Sequence, residues 1–497
     1  MSDEAARAES AQQDIQALAK GGRTNFFGFL IRLAARMPFL FIAGRLYGPE
    51  ALGRFASALV VIELAGQLCT IGQKRGLAQQ LSEERQHPAN IVADGMLLSM
   101  MIAAVIAGLL FLFPAPMFPS GEYSLYDRWL PLAIFAGTLT DIALAALAYR
   151  YDVRTTVRSR AIAEPWTISI AAGLLWFVVP EGGLALSYIA SIFAAAVVAL
   201  VPLYRSYGLP QGWRPHPVRL ARLAWANLPL AMADAVEWGT RKLDIAVLGL
   251  FASPTAVGVY YVAQQVASLP QKLKTSFEPI LGPVITRNLK ERNYAAIAQQ
   301  VCQVGFWITA AQAGIALALG IPGEGVMGLV GPQFVGGTGA LAFLLAAEVV
   351  AATAVVSEAA LIYMARLRNL WVSLATIALQ AALTVGGILL VDHLGYNQLW
   401  RAAAAAAALM LSLAFASVVK SWMLSRILQQ PINNWRWSLV WAAGAAVAVG
   451  YPATQYLPEW AELALGIPAM LAVYCWMIWN KGFGPEDRVL FRKNVGG

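Results

Sequence analysis

The sequence predicts an all-α integral membrane protein of about fourteen transmembrane helices, two related six-helix lobes followed by two C-terminal helices. Three observations carry this. Apolar stretches of spanning length recur along the chain, Lys and Arg gather on alternate loops, and a Gly/Pro motif returns in the same topological setting. Of 497 residues, 59% are hydrophobic and 13% charged, about half the charged share of a soluble domain. That composition excludes a soluble enzyme, a disordered chain and a nucleic-acid binder. The net charge of +8 does not by itself indicate a polyanionic partner, because membrane proteins keep excess cations in inner loops.

A helix of about 20 apolar residues crosses the roughly 30 Å hydrocarbon layer. Such segments fall at 26–46, 51–72, 91–113, 129–149, 161–179, 184–204, 224–251, 255–284, 296–320, 338–365, 370–391, 399–422, 437–456 and 461–480. Pro38, Pro165, Pro229 and Pro270 lie inside them, where neighbouring helices satisfy the backbone groups that proline frees. Residues 1–25 are polar, without the short apolar core of a signal peptide, and residues 10–20 predict a short helix. With that end inside, the inner segments hold 28 of the 36 Lys and Arg residues, and the outer loops hold only Arg128. The asymmetry puts both termini in the cytoplasm. The expected parts are a cytoplasmic segment (1–25), an N-lobe of spans one to six (26–223) and a C-lobe of spans seven to twelve (224–425). The last two spans (426–480) and a cytoplasmic tail (481–497) complete the chain.

Residues 44–55 (GRLYGPEALGRF) and 249–260 (GLFASPTAVGVY) match at a constant offset of 205. Gly44 pairs with Gly249, Pro49 with Pro254, Ala51 with Ala256 and Gly53 with Gly258. Both copies close the first helix of a pair and open the second, which predicts two lobes repeated in parallel, a transporter architecture with its site at the repeat interface. The same offset pairs Arg36 with Arg241, Arg32 with Glu237, Met37 with Lys242 and Gln67 with Lys272.

Ionisable groups within spans are costly, and face a wet cavity or a protein interior. Asn25, Arg32 and Arg36 share one helical face, as do Glu63, Gln67, Thr70 and Lys74 in the second span. The seventh span carries Asp234, Glu237, Arg241, Lys242 and Asp244, in which Glu237 and Arg241 are also spaced for a simple i,i+4 ion pair. Gln264, Ser268, Gln271 and Thr275 line the eighth, with Lys272 at its inner end. Glu164, Glu348 and Glu358 read as isolated acids. Cations mixed with amides and hydroxyls suit an anionic, hydroxyl-rich cargo, since guanidinium forks take phosphate oxygens. Cys69, Cys302 and Cys475 are far apart, and His87, His216 and His393 have no clustered partners, so neither a disulfide framework nor a metal site is expected.

The stretches GRLYGPEALGRFASALVVIELAGQL, RKLDIAVLGLFASPTAVGVYYVAQQVASLP and GLVGPQFVGG resemble the Wzx-type oligosaccharide flippases of the multidrug/oligosaccharidyl-lipid/polysaccharide exporter superfamily. Asp244, Leu248, Gly249, Phe251, Pro254, Ala256, Val257, Gly258 and Tyr260 form the most telling pattern. The resemblance implies a MATE-like, V-shaped bundle that alternates between inward and outward openings. It implies an undecaprenyl-diphosphate-linked oligosaccharide cargo, flipped from the inner to the outer leaflet of a bacterial cytoplasmic membrane, with membrane lipids, a polymerase and export machinery as neighbours in the pathway. Arg36 and Arg241 would hold the diphosphate, assisted by Arg32, Lys242 and Lys272, with Asn25, Gln67 and Gln264 on the glycan. Glu63, Asp234, Glu237, Asp244 and Glu348 would pair with those cations or carry a coupling H⁺ or Na⁺; no other cofactor is expected. A lipid II-type flippase, with basic residues in its first span, is the nearest alternative. An amphiphile or drug exporter would want an acid-rich, Arg-poor cavity, and a membrane glycosyltransferase or polymerase would need acids or His on a roomy outer loop.

Overall fold

The computed structural model describes residues 37–83, 87–275, 285–484 and 487–488. Every described regular element is helical, so the all-α class holds there. The first span enters the described region at Met37 and ends in a widened π-helical turn, Ala43–Tyr47. The helices that follow are α1 (Gly48–Cys69), α2 (Gln73–Glu83), α3 (Pro88–Leu112), α4 (Leu132–Tyr149), α5 (Glu164–Trp176), α6 (Gly183–Tyr207) and α7 (Pro217–Phe251). Then come α8 (Pro254–Thr275), α9 (Tyr294–Gly320), α10 (Gly323–Val330), α11 (Thr338–Met364), α12 (Arg366–His393), α13 (Gln398–Leu428), α14 (Trp437–Tyr456) and α15 (Ile467–Met477).

Among the described residues, nine helical stretches are long and apolar enough to cross a membrane, against the fourteen expected. One of them, Met37–Ser82, contains parts of two expected spans. Others carry charge: α7 is 35 residues long but holds Asp234, Glu237, Arg241, Lys242 and Asp244. The fifth span is built from a short turn (Val153–Thr156), a π-helical stretch (Val157–Ala163) and α5. Where the expected segments fall on described residues they hold helices, and charge or interruption makes several of these less apolar than a spanning helix.

The chain divides into two compact units, Arg32–Tyr261 and Val262–Gly497 with Met1–Ile31. The lobe boundary expected at 223/224 is a division by sequence repetition; by packing, α7 goes with the first unit, where it lies along α1, α2 and α3. Within that unit the second span breaks at Ile71 and Gly72, both at positive φ. A Cβ on Gly72 would lie 2.5 Å from the Leu230 Cβ of α7, so glycine serves both the left-handed turn and the close approach.

The 205-residue repeat has a structural counterpart in the same unit. A Cβ on Gly53 would lie 1.7 Å from the Pro254 carbonyl oxygen, and one on Gly258 would lie 1.9 Å from that of Pro49. Gly53 and Gly258 are repeat partners, as are Pro49 and Pro254. Each glycine thus receives the other copy's proline turn, the reciprocal pattern of two copies about a twofold axis. Small residues allow this backbone-to-backbone approach.

In the second unit, Phe306, Trp307 and Ile308 of α9, Leu361 of α11 and Leu424 of α13 share one buried core. Near its chain end the carboxylate of Asp487 is buried, accepting from the Trp307 indole at 2.9 Å and from Arg436 at 2.6 Å.

Candidate functional site

The inner part of the first unit holds a network of charges drawn from six segments. The break after α1 turns the chain so that Lys74 and Arg75, at the start of α2, point into different neighbours. The Lys74 ammonium donates to Asp141 Oδ2 of α4 at 2.7 Å and to Gln67 Oε1 at 2.9 Å. Asp141 also takes a guanidinium nitrogen of Arg160, which lies in the π-helical stretch before α5. Arg160 NH1 reaches Glu164 Oε2 at 2.8 Å. A π-helical turn inside a span is a frequent mark of a functional position.

Arg75 faces α7. Its Nε donates to Asp234 Oδ1 at 2.8 Å, and its NH2 to Glu237 Oε2 at 2.7 Å. Arg241, one turn further along, donates from NH2 to Glu237 Oε1 at 2.9 Å. Lys242 and Glu63 of α1 approach to 3.5 Å. Glu237 lies 14 residues, or about 21 Å of helix, from the C-terminal end of α7, within the seventh expected span. Among the described residues the network contains five cations (Lys74, Arg75, Arg160, Arg241, Lys242) and five acids (Glu63, Asp141, Glu164, Asp234, Glu237). The expected cationic lining is thus a balanced one here, in which an anionic ligand has to compete with resident carboxylates.

The expected site residues fare differently. Glu63, Gln67, Asp234, Glu237, Arg241 and Lys242 belong to this network. Asp244 is buried and accepts the Tyr260 hydroxyl at 2.6 Å, a tether between α7 and α8. Gln264 is half-buried on α8 and Glu348 is buried on α11, both in the second unit. Lys272 is on α8, its side chain outside what is described, and Asn25, Arg32 and Arg36 lie outside the described residues.

Three members went unnoticed in the sequence. Asp141 is the lone acid of the otherwise apolar fourth span, and an ionisable residue there is a functional candidate on that ground alone. Arg75 and Arg160 had been counted with inner-loop cations. Glu164 is not isolated, since Arg160 stands four residues before it. Nor is Glu358, which accepts from the buried Lys420 at 2.9 Å and from Asn369 at 3.3 Å. Lys420 lies on a different helix, so spacing along the chain does not reveal that pair.

The family model of the polysaccharide biosynthesis protein family matches residues 42–310, more than half of the chain. No curated protein matches it. Among solved structures, the lipid II flippase MurJ in an inward closed conformation shares the fold at a TM-score of 0.68 and 13% identity, over 91% of this chain and 96% of that one. An inward-facing MATE-family multidrug-resistance transporter of the MOP superfamily aligns at 0.64 and 14% identity, over 80% of this chain and 99% of that one. A MOP-superfamily transporter from Pyrococcus furiosus, described as having a binding pocket of reverse polarity that suggests a different function, aligns at 0.56 and 14%, over 84% and 96%. These relatives transport or flip rather than catalyse. The chain belongs to the polysaccharide biosynthesis protein family, and its multiple apolar helices are those of a multi-pass membrane protein with the MATE- and MurJ-like fold.

Proposed function

We propose that this protein flips an undecaprenyl-diphosphate-linked oligosaccharide from the inner to the outer leaflet of a bacterial cytoplasmic membrane, with both termini on the cytoplasmic side. The observation that carries this reading is the pair Arg75 and Arg241, both about half exposed and meeting on Glu237 of the seventh expected span, in a chain of a polysaccharide-biosynthesis family. Half-exposed guanidinium groups inside a bilayer need an aqueous cavity. They bind phosphate oxygens by charge-assisted forks. Arg36, Arg32, Lys242 and Lys272 extend the cationic set, Asn25, Gln67 and Gln264 serve the glycan, and the lipid tail stays in the bilayer. Cargo release, or a proton or Na⁺ carried by acids such as Asp234, Glu348 or Glu63, shifts the balance between inward and outward openings. A polymerase and export machinery on the outer side consume the delivered unit.

A lipid II-type cargo is the second reading, supported by the likeness to MurJ over most of both chains. It asks for the same diphosphate grip and a different sugar. Reconstitution in vesicles containing a lipid-linked glycan separates the two by cargo preference. Arg75→Ala and Arg241→Ala are expected to lower the flipping rate by at least tenfold, with Arg36→Ala as the third variant. Unchanged rates in all three would remove the diphosphate grip, and flipping of lipid II in preference to an oligosaccharide repeat unit would select the second reading.

A further inference from the structure

Glu237 sits between two arginines in a way its neighbour Asp234 does not. Each of its carboxylate oxygens takes a different guanidinium, Oε2 from Arg75 at 2.7 Å and Oε1 from Arg241 at 2.9 Å. The side chains of all three are about half exposed, at 48%, 47% and 54% for Arg75, Glu237 and Arg241. Asp234 is 6% exposed and accepts only from Arg75, at Nε. The two acids thus divide Arg75 between them: the buried one takes its Nε–H, and the open one takes its NH2 while also accepting from Arg241. One nitrogen from each arginine thus meets one oxygen of the same anionic group, and a phosphate offers oxygens that can take the same two donors.

We infer that Glu237 is a resident anion, standing in the place a phosphate of the cargo takes between Arg75 and Arg241. It keeps the two arginines apart from each other in charge and oriented toward one point while the site is empty. An arriving phosphate displaces it at little reorganisation cost, since Asp234 continues to hold Arg75. When Glu237 swings back it competes the phosphate off, so the site binds loosely enough to release its cargo. A ligand gains only the difference between its own contacts and those it replaces. The identity of the natural anion rests on the flippase reading; the clamp itself does not.

The test is titration of the purified full-length protein with inorganic pyrophosphate by calorimetry, at fixed ionic strength. Glu237→Gln is expected to bind it about three to ten times more tightly than the parent, as removal of a half-exposed competing ion pair implies. Glu237→Asp, which keeps the charge on a shorter arm, is expected to fall between and guards against a folding artefact. Asp234→Asn is expected to bind no more tightly than the parent, because it loosens Arg75; equal tightening in both acid variants would mean a diffuse charge effect and overturn the assignment. Equal or weaker binding in Glu237→Gln, or no pyrophosphate binding by any form, would overturn it as well. Loss of glycan flipping by the parent in vesicles, with the pyrophosphate pattern intact, would instead remove the flippase reading and leave the clamp.

Discussion

The two compact units handle charge in different ways. In the first, acids are shared between cations: Asp141 takes both Lys74 and Arg160, and Glu237 takes both Arg75 and Arg241. In the second, the ion pairs among the described residues are one to one: Lys420 with Glu358, Arg401 with Asp392, and Arg436 with Asp487. Fully buried alanine occurs in both units, as at Ala56, Ala143 and Ala199 of the first, and the second carries a long run of it. Residues 402–408 of α13 are seven consecutive alanines, and Ala402, Ala405 and Ala406 are fully buried, as are Ala347, Ala352 and Ala360 of α11. Small side chains let helices approach closely in a medium that offers no hydrophobic drive for association. An acid shared by two cations leaves both unpaired when it is removed, whereas a single pair leaves one group, so the two units should respond differently to substitution.

The largest expected effect is at Asp141. It neutralises Lys74 and Arg160 together, and removing one acid leaves two cations partly buried. Asp141→Ala is expected to destabilise the protein by about 3 kcal/mol, the lower end of the cost of breaking a buried pair because the cations keep some access to water. Thermal unfolding in detergent would show it as a lowered midpoint and poor recovery. Removing Lys420 in the second unit leaves one acid, Glu358, already open to water over about a third of its side chain (37%), and should cost less. Equal losses at both sites would erase the contrast drawn between the units.

Glycine sharpens the comparison. Gly53→Ala and Gly258→Ala each drive a methyl into a backbone carbonyl, and overpacking of that kind costs about 1–3 kcal/mol. The pair should lose similar amounts, because each copy makes the same contact. In the second unit, a Cβ on Gly444 of α14 meets nothing within 4 Å. There Gly→Ala is expected to stabilise by about 0.5–1 kcal/mol through the lower entropy of the unfolded chain. Circular dichroism melts of the three variants give the test; a neutral Gly53→Ala would dissolve the reciprocal contact.

What was legible in the sequence follows the same division. Spans are written in hydropathy because lipid penalises every unpaired backbone group, and among the described residues helices occupy the expected segments, with α14 matching residue for residue. The Gly/Pro repeat was visible because one contact needs two glycines and two prolines at fixed spacing. The network was only half visible. Glu237 and Arg241 share a helix and could be paired by counting, whereas Arg75 meets Glu237 across 162 residues, and Lys420 meets Glu358 across 62. Asp244 read as a coupling or ion-pairing acid on a polar helical face, and the contact that spacing did not reveal is the Tyr260 hydroxyl it accepts in the interior. Partners chosen by packing leave no periodic trace along the chain.

The smallest effect expected lies just before the helical turn Val153–Thr156, in the segment between the fourth and fifth expected spans. Asp152 accepts the Thr155 hydroxyl at 2.6 Å and the Thr155 amide at 3.1 Å, the pattern of a helix N-cap. The Thr155 hydroxyl, then its amide, hold the Asp152 carboxyl below its ordinary value. Asp152→Ala is expected to cost about 0.5 kcal/mol, the low end for a cap because the site is open to water. A carboxyl whose value is lowered by folding stabilises the protein above the unfolded value of about 3.9, and that contribution fades as pH falls through the folded one. The gap in melting temperature between parent and Asp152→Ala should therefore be full at neutral pH and narrow below about pH 4. A gap that is constant through acid pH would mean that the helix start, rather than the carboxylate, carries the effect.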